Sequence, residues 1–310
     1  MPGHRAPVRL LAGISLLLRV LTSASPLSAQ AWGPPRGAGS LTISTQVIDN
    51  TGHRMTDGFL LEDGKSTTVA VYVEGDYGLT DRISVSLAIP YVFARYRGPG
   101  PTPANLPVDQ CKCWHSGWQD LGGVVRLNVL NGTVALTPSF AFGVPSHRYG
   151  FEGEAVIGYG LREARVALDS GVRFDALSPK LSVQGRYAYT FVERAVGISH
   201  NRSNVTATGA YQATRRLSTR GIVLWQHTHG GVRFGSLTGV PFFPPGEANT
   251  PERFRQHDRL LHDCNWRLGG DLGYSFTGFD IFASYLHFMG GTDTHAGYTV
   301  TIGLSWPFGT

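Results

Sequence analysis

The chain lacks the features of helical proteins. None of its apolar runs is long enough to cross a bilayer as a helix, and no segment repeats its apolar residues with a period of 3.6. Lysine is also scarce and occurs only at positions 65, 112 and 180. The net charge of +5 falls to about +2 without the three arginines near the N-terminus. The sequence therefore predicts neither a helical bundle nor a nucleic-acid partner.

The first thirty or so residues have the pattern of an export signal. A basic start around Arg5 precedes an apolar core at Leu10–Leu18, and small residues at Ala29–Ala31 follow as a cleavage site. The core is too short to serve as a membrane anchor. We therefore expect a signal peptide at 1–31, removed on export, and a single domain at 32–310.

The last thirteen residues show the clearest alternation in the chain. Large apolar residues share one face of a predicted strand, and Thr or other small residues share the other; the apolar row is Tyr298, Val300, Ile302, Leu304, Trp306 and Phe308. Such a strand fits between hydrocarbon and a polar interior, with aromatic side chains at the two membrane interfaces. The segment also resembles the closing strand of bacterial outer-membrane barrels, which ends in an aromatic residue.

The same alternation recurs along the chain and gives twelve candidate strands. They lie at 40–49, 66–77, 82–96, 118–130, 133–144, 164–174, 181–191, 205–211, 221–228, 267–276, 279–289 and 298–308. The ninth is ambiguous, because Ile222 and Leu224 share a face with Gln226. Pro90 and Pro138 each remove a hydrogen-bond donor from inside a strand, so we expect a bulge or a strand end beside them.

Short and long connections alternate strictly between these strands. The short ones lie at 79–81, 131–132, 175–180, 214–219 and 277–278, and the long ones at 50–65, 98–116, 146–162, 193–202, 229–262 and 290–296. A soluble sandwich has no reason to keep this alternation, which is typical of transmembrane barrels. We therefore predict an all-β fold: a single antiparallel transmembrane β-barrel of about twelve strands, with short periplasmic turns and long external loops, surrounded by outer-membrane lipid.

If the apolar faces meet lipid, the opposite faces line the lumen. The charged residues on those faces are Glu74, Asp76, Asp120, Arg126, Arg165, Asp169, Arg173, Arg186, Arg267 and Asp271. Their mixed signs allow two interpretations, which can hold together. They are either structural pairs inside a narrow barrel or a constriction that selects solutes.

Two long loops carry thiol and imidazole groups: Cys111, Cys113 and His115 in the second, and His257, His262 and Cys264 at the end of the fifth. An oxidising compartment favours a disulfide from Cys264 to one of the other two cysteines. A soft metal ion or free thiols are the alternatives. His227 and His229 could form a ligand pair, but such residues are more often polar groups at a strand end. We assign no metal site.

Catalysis finds no support in the pattern of residues. A lipid-hydrolysing barrel would need a serine activated by a histidine, and no serine here has a spacing to histidine that singles it out. We therefore expect no enzymatic activity and no cofactor.

A family resemblance rests on three segments, Glu152–Glu163, Tyr187–Glu193 and Asn201–Asn204. In them the chain resembles the transporter-like outer-membrane barrels grouped with the MetA pathway of phenol degradation, and the likeness extends loosely from about residue 66 to the end. The resemblance implies a barrel that passes small solutes, hydrophobic or aromatic ones among them, and it supplies no functional residues.

Together these observations predict a channel for diffusion-driven uptake of small molecules, with the long loops as its gate. A closed barrel that acts in adhesion or as a structural element through its external loops is the alternative. A lipid-modifying enzyme is a third and weaker hypothesis.

Overall fold

The computed structural model describes residues 31–62, 64–98, 108, 111–174, 180–233, 252, 255–256 and 258–309. Outside these residues lies the predicted signal segment, with the exception of Ala31. His257, most of the link at 175–180, and parts of the loops at 98–116 and 229–262 also lie outside them. The described part of the chain has no helical segment with the length and apolar character of a membrane-crossing helix.

Twelve principal strands in the described residues form one closed antiparallel sheet. They are β1 Gly39–Arg54, β2 Lys65–Gly78, β3 Ile83–Arg97, β4 Leu121–Leu127, β5 Val134–Val144, β6 Glu163–Arg173, β7 Leu181–Val192, β8 His200–Gln212, β9 Leu217–Gly230, β10 Cys264–Ser275, β11 Asp280–Thr292 and β12 Thr294–Phe308. Neighbours in sequence pair with one another, and β12 pairs with β1 from Phe308 to Thr294, which closes the barrel. The predicted fold class is confirmed.

Three short strands and a 3₁₀ helix accompany the barrel in the part of the chain that the structure describes. Leu60–Leu61 pairs with the outer end of β1, and His115–Trp118 and Leu130–Asn131 continue β4 at its two ends. A 3₁₀ helix at Asp258–Leu260 lies in the loop that precedes β10.

The two prolines inside strands face interruptions in the fourth strand. Pro90 on β3 accepts a hydrogen bond from Gln119 N (3.0 Å) at the gap between His115–Trp118 and β4. Pro138 on β5 lies opposite the second gap, between β4 and Leu130–Asn131. A proline has no N–H for the ladder, so an irregularity in the partner strand costs little there. The expectation of a bulge or strand end beside these prolines is confirmed.

Large apolar side chains cover the outer face of the barrel. Leu87 is 62 % exposed and Leu272 is 58 % exposed. Such exposure would be unfavourable in water, because full burial of a side chain of this size stabilises a protein by roughly 1.5–3 kcal/mol. Aromatic residues collect at both ends of this surface: Tyr77 stacks on Phe308 at the end with short turns, and Trp225 contacts Trp266 nearer the other end. An apolar band between two aromatic girdles is typical of a lipid-facing barrel surface.

The last connection differs in form from the long loop predicted at 290–296. β11 continues to Thr292 and β12 begins at Thr294, so only Asp293 lies between them, with a positive φ of 52°. The two strands pair with each other only as far as His287 and Tyr298. Beyond that point β11 stays paired with β10 and β12 stays paired with β1, and these outer partners keep both segments extended.

The external loops fold inward over the mouth of the barrel. A buried apolar cluster joins these loops to one another and to the outer end of β7. It consists of Leu161, Val192, Ala195, Ile198, Val232 and Leu260. Val232 N donates to Leu260 O at 2.7 Å, and Arg259 donates to Tyr159 O at 3.0 Å. These contacts give the mouth a packed cap, built from the described parts of the loops around 145–162, 193–199 and 231–263.

Candidate functional site

A cavity of about 1150 Å³ lies inside the barrel. Residues from most of the strands line it, because alternate side chains of every strand point to the barrel axis. Its lining divides into a charged side and an apolar side.

Arginine–carboxylate pairs form the charged side, on strands β2 to β8. Arg126 lies 3.5 Å from Asp76, and both contact Ser86, whose Oγ donates to Asp76 at 2.6 Å. Arg186 donates to both carboxylate oxygens of Asp169 at 3.3 Å.

Glu163 lies between two arginines on the same side of the cavity. Arg202 donates to it directly, and Arg165 lies 3.7 Å from it while also donating to Thr190 Oγ1 at 3.0 Å. Three cross-strand pairs of opposite sign therefore follow one another around this wall.

A fourth pair, on β9 and β10, also has an enclosed carboxylate. Arg220 on β9 donates from Nε to both carboxylate oxygens of Asp271 on β10, at 2.9 and 2.7 Å. The Asp271 side chain is 2 % exposed and that of Arg220 is 25 % exposed, so the arginine still reaches the cavity while its partner does not.

The apolar side lies on β9 to β11, where the charged residues Arg220 and Arg267 also reach the cavity. Ile222 and Leu224 of β9 and Leu286 of β11 line the cavity. Gly269 of β10 is in register with Ile222 on one side and with Leu286 on the other. A Cβ on Gly269 would lie 1.9 Å from Tyr285 O, so a residue without a side chain is required where the strands approach each other. The ambiguous face of the ninth strand is thus an apolar lumen face, and sequence reasoning did not identify it.

The segment before β1 enters the barrel at the end with short turns. Trp32 Nε1 donates to Gly132 O at 2.8 Å, and the guanidinium of Arg173 lies 4.5 Å above the Trp32 ring. A Cβ on Gly171 would lie 2.5 Å from that ring, so a residue without a side chain is required for the ring to fit. Trp32 therefore narrows this end of the lumen.

Ala31, the first described residue, lies beside Trp32 and is completely buried. Its N–H donates to Gln184 Oε1 at 3.2 Å, and its carbonyl accepts from Thr137 Oγ1 at 2.8 Å. The N-terminal segment is thus hydrogen-bonded to the barrel wall on two sides.

Most of the charged residues predicted to face the lumen line the cavity: Glu74, Asp76, Asp120, Arg126, Arg165, Asp169, Arg186 and Arg267. Arg173 lies over Trp32 instead, and Asp271 is enclosed by Arg220. Sequence reasoning missed Glu163, Arg202, Arg220 and Asp263, which also line the cavity. Arg220 could have been found by extending the ninth strand, because it alternates in phase with Ile222. A role of these charges as a selective constriction stays a prediction.

Tyr149 connects the loop after β5 to the lumen wall. Its hydroxyl donates to Asp120 and accepts from Gly160 N at 2.8 Å. Burial, followed by the hydrogen bond to Asp120, raises the pKa of Tyr149 above its usual value, so the phenol stays protonated at neutral pH. This contact keeps the loop over the cavity.

The cysteines are arranged differently from the favoured loop-to-loop bridge. Cys111 and Cys113 form a disulfide with each other, and Cys264 is a free thiol. Cys264 is the first residue of β10, and its Sγ lies 3.2 Å from Nδ1 of His227 on β9. His229 contacts Ser203 Oγ at 2.8 Å, and His262 contacts Gly230 O. His115 contacts Ala155 O at 2.6 Å.

No protein-family model matches the chain, and no curated protein matches it. The fold is similar to that of the COG4313 outer membrane channel from Pseudomonas putida F1, with a TM-score of 0.66 and 12 % identity over 92 % of this chain and 100 % of that one. These comparisons define the class of fold as the closed antiparallel barrel of outer-membrane proteins. The resemblance to the barrels grouped with the MetA pathway stays a prediction.

Two autotransporter barrels are also similar. The translocator domain of NalP from Neisseria meningitidis has a TM-score of 0.51 and 11 % identity over 97 % of both chains. The β domain of BrkA from Bordetella has a TM-score of 0.51 and 14 % identity over 88 % of this chain and 100 % of that one. At these identities the likeness concerns the fold alone.

Proposed function

We propose that the protein is an outer-membrane channel through which small solutes diffuse, and that its preferred solutes combine an apolar or aromatic body with a polar group. The cavity inside the barrel, with arginine–carboxylate pairs on one wall and Ile222, Leu224 and Leu286 on the other, is the observation that supports this most directly. The apolar outer band and the likeness in fold to outer-membrane barrels support the location.

The two walls suit a solute with two kinds of surface. A planar apolar body lying along β9 to β11 would displace water from side chains that cannot hydrogen-bond to it. Its hydroxyl or carboxylate would face arginines whose guanidinium groups are already oriented by carboxylates. Because these arginines are paired with carboxylates, they would hold an anionic solute only weakly, and a weakly bound solute can leave again.

Solute flux into liposomes tests the proposal. Protein reconstituted into liposomes should increase the entry of small phenolic or benzoate-type solutes more than that of sugars of similar size. The variant Leu224→Arg, which places a charge on the apolar wall, should reduce this preference, while Val223→Thr on the outer face should leave it unchanged. Equal entry of all solutes would contradict the preference, and no entry above protein-free liposomes would contradict the channel.

A closed structural or adhesion barrel is the second candidate, and two observations favour it. Trp32 narrows one end of the lumen, and the packed cap of Leu161 and its neighbours covers the other. Protein that inserts into liposomes, shows no flux, and binds cells or matrix through its external loops would support this alternative. The proposal includes no catalytic step.

A further inference from the structure

We propose that His53, Glu154 and His295 bind a divalent transition-metal ion, best matched by Zn²⁺, and that Asp258 orients His295 from behind. One ligand atom from each of the first three lies within 4.8 Å of the others, and this is the one such group among the described residues. The site lies at the mouth of the barrel and is separate from the cavity described above.

The backbone brings the two histidines together. His53 on β1 and His295 on β12 are directly paired across the strands, and their ring centroids are 4.5 Å apart. The pairing register shifts between Asn50 and Gly52. This bulge reverses the alternation of β1, so His53 points to the interior, as even-numbered residues do before it. Without the bulge its side chain would point outward.

The external loops supply the carboxylates. Glu154 comes from the loop after β5, and its Oε2 lies 3.1 Å from His53 Nε2. Asp258 begins the 3₁₀ helix, and its Oδ1 lies 3.0 Å from His295 Nε2. His53 and Glu154 are buried, and the other two side chains are mostly enclosed. Three separate parts of the fold therefore direct a nitrogen or oxygen ligand at one point, and Asp258 contacts one of these ligands, His295, from a fourth.

The geometry and chemistry suit zinc. Zn²⁺ binds imidazole nitrogen and carboxylate oxygen at about 2.0–2.2 Å, so two ligands on one tetrahedral ion lie roughly 3.4 Å apart. His53 and Glu154 already lie 3.1 Å apart, and side-chain rotations would bring all three ligand atoms, which lie within 4.8 Å of one another, to that value. A dication would also compensate the enclosed carboxylate of Glu154. Ca²⁺ and Mg²⁺ prefer oxygen ligands throughout, so a site with two imidazoles should discriminate against them.

A bound ion would fasten the external cap to the barrel wall. Glu154 and Asp258 belong to the two loops that fold over the mouth, whereas the histidines belong to paired strands. Metal binding would therefore reduce the motion of both loops together. The inference does not depend on which solute crosses the lumen.

Zinc titration of the purified, chelator-treated protein in detergent tests the site. Wild-type protein should bind one equivalent of Zn²⁺ and no Ca²⁺ or Mg²⁺ at the same concentration. Glu154→Gln preserves size and should weaken binding at least about tenfold, and His53→Gln should do the same. His287→Gln removes an exposed histidine of the outer face and is the matched control, for which wild-type affinity is expected. Heat-modifiable gel mobility verifies that each variant forms the barrel.

Two results would overturn the proposal. The first is wild-type affinity in folded Glu154→Gln and His53→Gln. The second is loss of binding only in His227→Gln, which would place the ion beside Cys264. A measurement on the wild-type protein tests the ligand set without any risk of a folding defect. The Co²⁺-loaded protein should show no thiolate charge-transfer band, because no cysteine belongs to the site. Such a band would also overturn the proposal.

Discussion

At the scale of single residues, the lumen wall depends on charges that are held in pairs. A carboxylate enclosed as fully as Asp271 is tolerated because Arg220 donates to both of its oxygens. The Arg126–Asp76 pair is more open to solvent, because the Asp76 side chain is 22 % exposed. Solvent screens such a pair, so its contribution to stability is smaller.

Asp271→Asn should therefore destabilise the barrel by about 1–3 kcal/mol, because Arg220 loses a carboxylate partner in a poorly solvated place. Asp76→Asn is the matched control and should lose less. Reversible urea unfolding in lipid vesicles measures both changes. An Asp271→Asn barrel as stable as wild type would mean that water reaches this pair freely.

The sequence predicted the charged residues of the lumen well and its apolar residues poorly. Alternation identified eight charged residues that line the cavity, because a charge opposite an apolar row has to point inward. It could not identify Ile222 and Leu224 as lumen residues, because an apolar side chain fits lipid and an apolar wall equally well. The inward direction of His53 depends on a bulge, which no alternation pattern shows.

At the scale of elements, the segment before β1 narrows the lumen at the end of the barrel that has the short turns. Trp32 is held by a hydrogen bond to the turn at Gly132 and by Arg173, and Gly171 makes room for its ring. The alternation of the strands gave no sign of this segment, because its structure comes from contacts with the inner wall and not from a repeat of its own.

Trp32→Ala should widen this end and raise the single-channel conductance in planar bilayers, since the ring occupies space that solution would fill. Trp266→Ala removes an equally large ring from the outer face and should leave the conductance at the wild-type value. If both variants conduct as wild type does, the narrowest point lies elsewhere, and the cap at the mouth would be the first place to search.

Strand boundaries show what local sequence can and cannot specify. The turns near residues 79–81 and 277–278 lie where they were predicted, because short links leave little freedom to the pairing of two strands. At the outer ends, β1, β9 and β11 continue beyond the predicted limits. Their extra residues stay extended through pairing with neighbours in the sheet, which is a tertiary effect.

At the scale of the whole molecule, the central claim is that side chains of opposite character separate across a closed sheet. Pairing of β12 with β1 removes both edges of the sheet, so an apolar outer surface can meet hydrocarbon without unsatisfied backbone groups. The number of strands, their order and the closure follow from alternation and from the regular change between short and long links. The two-sided lumen and the cap required the structure.

Adjacent residues on β9 allow the most direct test of this claim. Leu224 lines the cavity and Val223 faces outward. Each would be replaced in turn by cysteine (Leu224→Cys or Val223→Cys) in a Cys264→Ser background, and current through single channels would be recorded while a charged thiol reagent is added. The reagent should reduce the current of the Leu224→Cys protein and leave that of the Val223→Cys protein unchanged. An absence of current before the reagent is added, or a reduction for Val223→Cys alone, would contradict it.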